Sequence, residues 1–288
     1  MLPIGPANGF EISLHEPGIA LFTFNRPEQL NGMSRAMKRD LVEAVTQAQM
    51  DNAVRVVVFT GQGRGFCAGD TLGGGYSAPQ GESSLVPEVG HGHDTGIGTY
   101  AALRTISQAV NVAIRNLDKV SIAAINGVAI QTGLSLALAC DFRIASTQAR
   151  LGSATLRFGL LPDEGGQYLV VQLIGVGKAM DFFLRKRIVS AEEALELGLV
   201  HEVVEPEQLM ERAMALAKEM AEGPQVSMRL LKRSIYAAAT QSMEQAMDDI
   251  ATKTAISDHH PDTREGVGAW RDKRTPHFNE WLEKKPEA

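Results

Sequence analysis

The sequence is poor in several features that would otherwise define its class. Its 288 residues include only two cysteines, Cys67 and Cys140, so a disulfide framework is excluded, and their neighbours offer no metal-ligand spacing. We expect both to be small buried residues. No apolar run approaches the roughly 18 residues of a membrane span. The first eight residues lack the basic start and apolar stretch of a signal peptide, which predicts a cytoplasmic location.

The chain also has no excess of basic residues. It carries 28 Lys and Arg against 34 Asp and Glu, a formal net charge of −6. Nucleic acid and anionic membrane surfaces are therefore disfavoured as main partners. The length and the 44% hydrophobic content allow a large core, either in one domain or in one domain with a helical appendage.

Hydrophobic periodicity is missing between Gly73 and Gly98, a segment rich in Gly, Ser, Pro and His. A loop of this length in a compact domain is typical of a lid, a binding loop or a disordered insertion. The HxHD stretch has no third ligand at a recognisable spacing, so we expect a solvated loop and no metal. The segment's chemically active side chains are Glu82, Glu88, His91, His93 and Asp94.

The most informative stretch runs from Ser121 to Asp141, S-I-A-A-I-N-G-V-A-I-Q-T-G-L-S-L-A-L-A-C-D. An apolar run ends at the turn signal Asn126-Gly127, and a small-residue helical pattern begins at Gly133. The pattern predicts a buried strand that leads into a buried helix. The first amides of such a helix lack partners inside it and suit an oxygen that develops negative charge. A tight turn with capped amides is the alternative.

A second stretch of this kind lies upstream. The β-branched run from Val54 to Thr60 leads into G-Q-G-R-G at residues 61–65 and F-C-A-G-D-T-L at residues 66–72. Two strand ends, each followed by glycine-marked backbone, are able to aim two amides at one point. This is the geometry of an oxyanion hole.

The rest of the chain reads as alternating strands and helices, followed by helices alone. We predict a hairpin at the N-terminus, a mixed α/β middle and a helical region after Glu207 with a break at Gly223-Pro224. A capping box is expected at Ser190 and Glu193. The predicted elements are strands 10–16, 19–25, 54–60, 121–125, 141–145, 149–152 and 199–204 and helices 35–51, 100–116, 133–141, 167–173, 177–184 and 191–198.

Seven segments in order resemble the crotonase superfamily (enoyl-CoA hydratase and isomerase) along nearly the whole chain. They are N-R-P-E-Q-L-N-G-M-S (25–34), G-F-C-A-G-D-T-L (65–72), A-I-N-G-V-A-I-Q-T-G (124–133), C-D-F-R-I-A (140–145), F-G-L-L-P-D-E-G-G (158–166), A-L-E-L-G-L-V (194–200) and S-D-x-x-x-x-x-x-E-G-x-x-A-W-x-x-K-R-x-P-x-F (257–278).

The resemblance implies an α/β fold, a crotonase-like spiral of ββα turns with a C-terminal helical region. It places the spiral core, with acyl-CoA binding, in residues 1–200 and the helical region, with trimerisation and CoA contacts, in residues 201–288. Trimers that pair into hexamers are implied. The implied substrate is an acyl-CoA thioester, so coenzyme A enters as part of the substrate and no separate cofactor is expected.

Carried over to this chain, the two oxyanion amides fall on Asp70 and Thr132. Both positions depart from the family pattern, which often has Ala or Gly at the first and usually Gly at the second. Only the backbone N–H is required, so a side chain that points away is compatible with the role. The carboxylate of Asp70 opposes a nearby enolate unless it faces solvent or a cation.

The two glutamates of the family's hydratases correspond here to Ser135 and Thr155. Neither hydroxyl is a general base near neutral pH without a partner, so ordinary two-glutamate hydration is not expected. Asp163, with Glu164 beside it, falls where isomerases of the superfamily carry a carboxylate that moves a proton along the acyl chain. The alternative is that these carboxylates cap the helix at Gln167 and interact with its dipole.

The resemblance also assigns CoA contacts. Those near the nucleotide and pantetheine arm are Arg26, Asn31, Gly32 and Ala68, and those that a neighbouring subunit supplies to the phosphates are Lys273 and Arg274. A solvated helix end is the alternative for the last two. Phe66, Phe158 and Leu161 are expected in the core rather than in an acyl pocket.

The sequence therefore predicts a crotonase-fold acyl-CoA enzyme in which Asp163 transfers a proton and shifts a double bond. One alternative is a hydratase or hydrolase that uses a carboxylate from the 73–98 segment. Another is an acyl-CoA binding protein without catalysis.

Overall fold

The structure is a computed structural model that describes residues 1–70 and 95–283. Its strands are β1 Gly5–Pro6, β2 Phe10–His15, β3 Ile19–Phe24, β4 Val56–Gly61, β5 Gly65–Cys67, β6 Val120–Ile125, β7 Val128–Ile130, β8 Phe142–Ser146, β9 Arg150–Gly152, β10 Ile188–Ser190 and β11 Glu202–Val204. Its helices are α1 Arg35–Met50, α2 Gly96–Ala102, α3 Gln108–Asn116, α4 Thr132–Ala139, α5 Gly166–Leu184, α6 Ala191–Leu197, α7 Leu209–Glu222, α8 Gln225–Ala238, α9 Met243–Asp258, α10 Pro261–Asp272 and α11 Glu280–Glu283.

Two sheets organise these elements. The larger has seven strands in the order β1-β2-β3-β4-β6-β8-β11, and the smaller has four in the order β10-β9-β7-β5. The hairpin β2–β3 is antiparallel, whereas β3, β4, β6, β8 and β11 pair in parallel. Buried parallel strands have apolar residues on both faces, which explains the unbroken run in β4.

A ββα unit repeats along the middle of the chain. In each turn one strand enters the large sheet, the next enters the small sheet, and a helix follows: β4-β5-α3, β6-β7-α4 and β8-β9-α5. The predicted ββα spiral is confirmed. The short strands β5 and β7, three residues each, were not assigned from the sequence because such short runs carry little periodicity.

Hydrophobic side chains fill both faces of the large sheet. Phe59 of β4 belongs to the cluster that includes residues of α1 and α4, while Val58 belongs to the cluster that includes residues of α7. This alternation follows from the two-residue period of a strand. Since α7 packs on the sheet, part of the helical region contributes to the core; the division at residue 200 stays a prediction.

Most predicted elements are confirmed to within a few residues. The helix predicted at 100–116 is present but contains a π turn at Leu103–Ser107, and the helices predicted on either side of Gly175 meet there at a non-helical residue (φ 76°, ψ 166°). At Ser190 the side chain accepts from the Glu193 amide, while the Glu193 carboxylate pairs with Arg187.

Cys67 and Cys140 are buried free thiols, as predicted, and burial raises the pKa of each to about 12.

The predicted irregular segment 73–98 lies mostly outside the described residues, and so do Glu82, Glu88, His91, His93 and Asp94. The end of the segment that the structure does describe is helical, since α2 begins at Gly96. The Thr95 side chain accepts from the Gly98 amide at 3.1 Å and caps α2, so the prediction of irregular structure is wrong for residues 96–98. Within the described residues no helix is long and apolar enough to cross a membrane.

Asp141 anchors the C-terminal helices to the large sheet. Its Oδ2 accepts from the Ser121 amide at 2.7 Å and from Lys232 Nζ of α8 at 2.7 Å. The Tyr236 hydroxyl donates to Oδ1. Lys232 is 8% exposed, so the ion pair is poorly solvated, and removal of one partner leaves a buried charge uncompensated.

We therefore expect Asp141→Ala to lower the free energy of unfolding by about 3 kcal/mol or more, measured by urea denaturation. Asp181→Ala is the matched control, because Asp181 pairs with Arg185 and Arg187 on a more exposed surface. Its unfolding midpoint should stay close to that of the parent. Equal destabilisation by the two substitutions would show that Asp141 is not an anchor.

Candidate active site

Two strand ends of the small sheet meet at one edge. β5 and β7 pair in parallel, with Gly65 opposite Val128 and Cys67 opposite Ala129. The carboxyl ends of parallel strands lie at the same edge of the sheet. The segment after β5 and the start of α4 after β7 therefore lie side by side, as the sequence predicted for the regions around Asp70 and Thr132.

Glycine makes this close approach possible. A Cβ at Gly133 would stand 2.0 Å from the Cys67 carbonyl oxygen, which is far inside van der Waals contact. Gly69 has φ +108°, in the region that favours glycine. At the β6–β7 turn, a Cβ at Gly127 would stand 2.0 Å from the Arg64 carbonyl oxygen. The two strand ends therefore approach at backbone distance.

Asp70 and Thr132 are brought together at this edge. The Thr132 hydroxyl donates to Asp70 Oδ1 at 2.8 Å. Met33 donates its amide to the Gly69 carbonyl at 2.9 Å, which holds the Asp70 segment in a one-residue parallel bridge. Within residues 1–70 and 95–283, neither the Asp70 amide nor the Thr132 amide has a hydrogen-bond acceptor.

A buried lysine, which the sequence analysis did not identify, joins the site from α1. Lys38 is 1% exposed. Its Nζ donates to Asp70 Oδ2 at 2.8 Å, to Glu164 Oε1 at 2.5 Å and to the Ser107 hydroxyl at 3.0 Å. Although burial works against an ammonium ion, the carboxylates of Glu164 and Asp70 raise the pKa of Lys38 above that of an ordinary lysine.

Glu164 is a buried carboxyl group with one free oxygen. It is 3% exposed, and its Oε2 has no hydrogen-bond partner within the described residues. Burial raises the pKa of Glu164 to about 7, although the neighbouring Lys38 works in the opposite direction. A carboxyl group that titrates near neutrality is well matched to proton transfer.

Asp163 is half-buried beside the start of α4. Gln131, the residue before Thr132, donates its Nε2 to Asp163 Oδ1 at 3.5 Å and accepts from the Ser153 hydroxyl at 2.8 Å. Burial raises the pKa of Asp163 above that of an ordinary aspartate. Gln131 holds unusual backbone angles, φ 50° and ψ −102°, and such strain is concentrated at functional sites.

The backbone on either side of these carboxylates is fixed by α3. Gln108 Nε2 donates to the Asp163 carbonyl and Asn111 Nδ2 to the Glu164 carbonyl, each at 2.8 Å. The N-cap of α5 is Gly165, with φ 91° and no side-chain capping hydrogen bond. The alternative that Asp163 or Glu164 caps this helix is therefore wrong.

Ser135 and Thr155 lie close to this site. Ser135 is buried below the start of α5, where a Cβ at Gly166 would stand 2.6 Å from the Ser135 hydroxyl. Thr155 Oγ1 is 3.2 Å from the Ser153 hydroxyl. Gly166 therefore has no space for a side chain of its own beside Ser135.

Arg26, Asn31, Gly32 and Ala68 form one neighbourhood. Asn31 is fully buried and its Nδ2 donates to the Gly65 carbonyl at 2.6 Å. Arg26 Nη1 donates to the Gly32 carbonyl at 2.7 Å, and the Ala68 amide donates to the Leu30 carbonyl at 3.0 Å. These contacts tie the segment before α1 to the segment that carries Asp70.

Lys273 and Arg274 lie at the end of α10. Lys273 is an exposed C-cap with φ 55°. Arg274 donates through both terminal nitrogens to Glu265, at 2.6 Å and 2.8 Å, and this contact lowers the pKa of Glu265 to about 2. Contact of these residues with CoA stays a prediction.

The core assignment of three side chains is partly wrong. Phe66 is fully buried, whereas Phe158 is 66% and Leu161 70% exposed. The segment that carries them follows β9 as a short 3₁₀ helix, Thr155–Phe158, with no buried residue. Apolar residue type alone did not reveal that this segment runs over the surface.

The raised pKa of Glu164 gives a pH-dependent stability. Because the value rises from about 4.5 to about 7 on folding, the folded state retains a proton that the unfolded state has released. The contribution is present below pH 4.5 and is lost as the pH rises through 7. The free energy of unfolding of wild type, relative to Glu164→Gln, should therefore fall over this window in urea titrations. A constant or rising difference over this window would contradict the assignment.

Comparisons with known proteins identify the family. A model of the enoyl-CoA hydratase/isomerase family matches residues 15–281. The 1,2-epoxyphenylacetyl-CoA isomerase of Escherichia coli is 34% identical, over 93% of this chain and 98% of the relative. A probable enoyl-CoA hydratase of Rhodobacter capsulatus is 32% identical, over 93% and 96%. The structure of an enoyl-CoA hydratase from Bacillus anthracis has a TM-score of 0.84 at 30% identity, over 94% of this chain and 98% of that one. The chain belongs to the enoyl-CoA hydratase/isomerase family, within the crotonase superfamily, as the sequence motifs indicated.

Proposed function

We propose that this chain catalyses the migration of a double bond in an enoyl-CoA thioester. The observation that carries the proposal is the position of the Asp163 carboxyl, held by Gln131 next to the strand ends that carry the Asp70 and Thr132 amides. A carboxyl group thus lies near two backbone amides that have no acceptor in the described structure.

In this proposal the thioester carbonyl oxygen accepts hydrogen bonds from the amides of Asp70 and Thr132. The pair stabilises the negative charge that develops when a proton leaves the α-carbon. The Asp70 carboxylate faces Lys38 Nζ at 2.8 Å and the Thr132 hydroxyl. Its charge is therefore offset by a cation, which the role of Asp70 in an oxyanion hole requires.

Asp163 then acts as the proton shuttle. Its carboxylate removes a proton from C2 of a 3-enoyl thioester, and the electrons delocalise into a dienolate. The same carboxyl returns the proton at C4, which gives the 2-enoyl thioester without water or another reactant. Burial raises the pKa of Asp163, which strengthens it as a base, and Glu164 lies next to it as a second carboxyl.

The residues at 135 and 155 argue against two-glutamate hydration. Both carry hydroxyls, which are not bases near neutral pH. Names of relatives do not decide between the two reactions, since the E. coli protein is a 1,2-epoxyphenylacetyl-CoA isomerase and the R. capsulatus protein is a probable enoyl-CoA hydratase. We favour isomerisation on the side chains present.

CoA binding and assembly complete the proposal. Arg26, Asn31, Gly32 and Ala68 would contact the nucleotide and pantetheine arm, and Lys273 and Arg274 would reach CoA from a neighbouring subunit. Assembly as a trimer or hexamer is supported by large apolar side chains that are exposed in the single chain. Examples on α5, α9 and α10 are Val176, Met180, Leu184, Met247, Ile256 and Trp270.

The test follows 2-enoyl-CoA and 3-enoyl-CoA separately in deuterated water. We expect the wild type to shift the double bond of the 3-enoyl substrate and to incorporate deuterium. Asp163→Asn should reduce both rates by about 10²- to 10⁴-fold, because general acid–base catalysis contributes that range. Mass spectrometry and the absorbance of the conjugated thioester measure the two events.

Asp248→Asn, on the exposed surface of α9, is the matched control and should keep the wild-type rates. Hydration of 2-enoyl-CoA without a double-bond shift would contradict the isomerase and would indicate a hydratase that uses another carboxylate. Tight binding without reaction would identify a non-catalytic acyl-CoA binding protein.

A further inference from the structure

Lys38 connects three segments that are distant in sequence. From α1 it reaches Asp70 after β5, Ser107 in the π turn and Glu164 before α5. Each of these segments borders the candidate active site. A single buried ammonium group therefore links the segment that carries Asp70 to the loop just before α5 that carries Asp163 and Glu164.

The charges around Lys38 do not balance when both carboxylates are ionised. One ammonium faces Asp70 and Glu164, at 2.7 Å and 2.5 Å, and the charge of Asp163 adds to the same neighbourhood. Lys38 is the cation that acts on both Asp163 and Glu164. Buried charges are stable only when they are paired, so the cluster favours one bound proton.

Glu164 is the member of the cluster placed to hold that proton. Its side chain is 2% exposed whereas that of Asp70 is 48% exposed, so water stabilises the charge of Asp70 and not that of Glu164. Glu164 Oε2 is also free of hydrogen bonds within the described residues. Burial also raises the pKa of Glu164, which agrees with this assignment.

We propose that Lys38 is a positioning residue that offsets the Asp70 charge beside the oxyanion amides and makes the proton on Glu164 exchangeable during turnover. This inference rests on the proposed function, because it concerns the same site. Lys38 does not touch the reacting atoms; it acts through the two carboxylates that it binds.

Lys119 provides a matched control for the burial of a lysine. It is also 1% exposed, but its Nζ donates to the carbonyls of Ala48 and Asp51 near the end of α1, and burial lowers its pKa to about 7. Removal of either amino group leaves acceptors without a donor. Only the removal of the Lys38 ammonium takes a positive charge away from Asp70 and Glu164.

The first experiment titrates Glu164 without substrate. Infrared difference spectra record the C=O band of the protonated acid, which Glu164→Gln removes and so assigns. We expect Lys38→Met to raise the midpoint by about one pH unit or more, because an opposite charge is lost. Lys38→Arg keeps a positive charge, so its midpoint should stay close to that of the wild type. Lys119→Met should leave the midpoint unchanged.

Asp70→Asn keeps the test decisive if Lys38→Met does not fold. With the like charge of Asp70 removed and the ammonium left to Glu164 alone, the midpoint should fall. An unchanged midpoint in Asp70→Asn, or equal midpoints for Lys38→Met and wild type, would overturn the proposal.

The second experiment measures deuterium exchange at the α-carbon of an acyl-CoA. Lys38→Met should slow exchange by about tenfold or more, the factor that one pKa unit represents. The double variant Lys38→Met with Asp70→Asn should recover part of the rate, because it no longer carries an unbalanced carboxylate beside the oxyanion amides. No recovery would reject the charge-compensation role.

The two experiments separate the proposals. An infrared shift in Lys38→Met with no isomerisation by wild type would keep the role of Lys38 and reject the isomerase. Isomerisation by wild type with no infrared shift would keep the isomerase and reject the role of Lys38.

Discussion

The close contact between the end of β5 and the start of α4 is the constraint on which the site depends. It requires a residue without a side chain at Gly133, since the Cys67 carbonyl occupies the space of a Cβ. The parallel pairing of β5 and β7 sets the register of this contact. The segment that carries Asp70 and the start of α4 then lie side by side, where the Thr132 hydroxyl reaches the Asp70 carboxylate.

The charged side chains of this site differ in how far they are exposed to solvent. Lys38 links a half-exposed and a buried carboxylate, and the difference in their hydration decides which of them holds a proton. Asp163, outside this direct ion pair, is instead held by the amide of Gln131. Two adjacent carboxyls thus occupy different environments, an arrangement that separates acid and base roles in many enzymes.

Much of this could be predicted from the sequence because the signals were local. The strand ends, their glycines and the order of the motifs placed Asp70, Thr132, Asp163 and Glu164 in one region. Lys38 was missed although it lies three residues before Leu41 and seven before Val45, on the apolar stripe of α1. A charged residue in that register indicates a buried partner, but its partners are 32 and 126 residues away, and helical periodicity carries no information about them.

Surface exposure was the other source of error. Phe158 and Leu161 are apolar and were expected in the core, yet both are exposed in the single chain. Residue type predicts burial only on average, because much of any protein surface is apolar. The strand β7 was not predicted, because three residues between two turn signals are too few to show a periodic pattern.

The packing of Ser135 against Gly166 has a consequence for how this site can change. A side chain at position 166 would meet the Ser135 hydroxyl at 2.6 Å and would displace the start of α5, together with Asp163 and Glu164 just before it. The size of residue 135 and the absence of a side chain at 166 are therefore linked, and we expect the two positions to change together rather than one at a time.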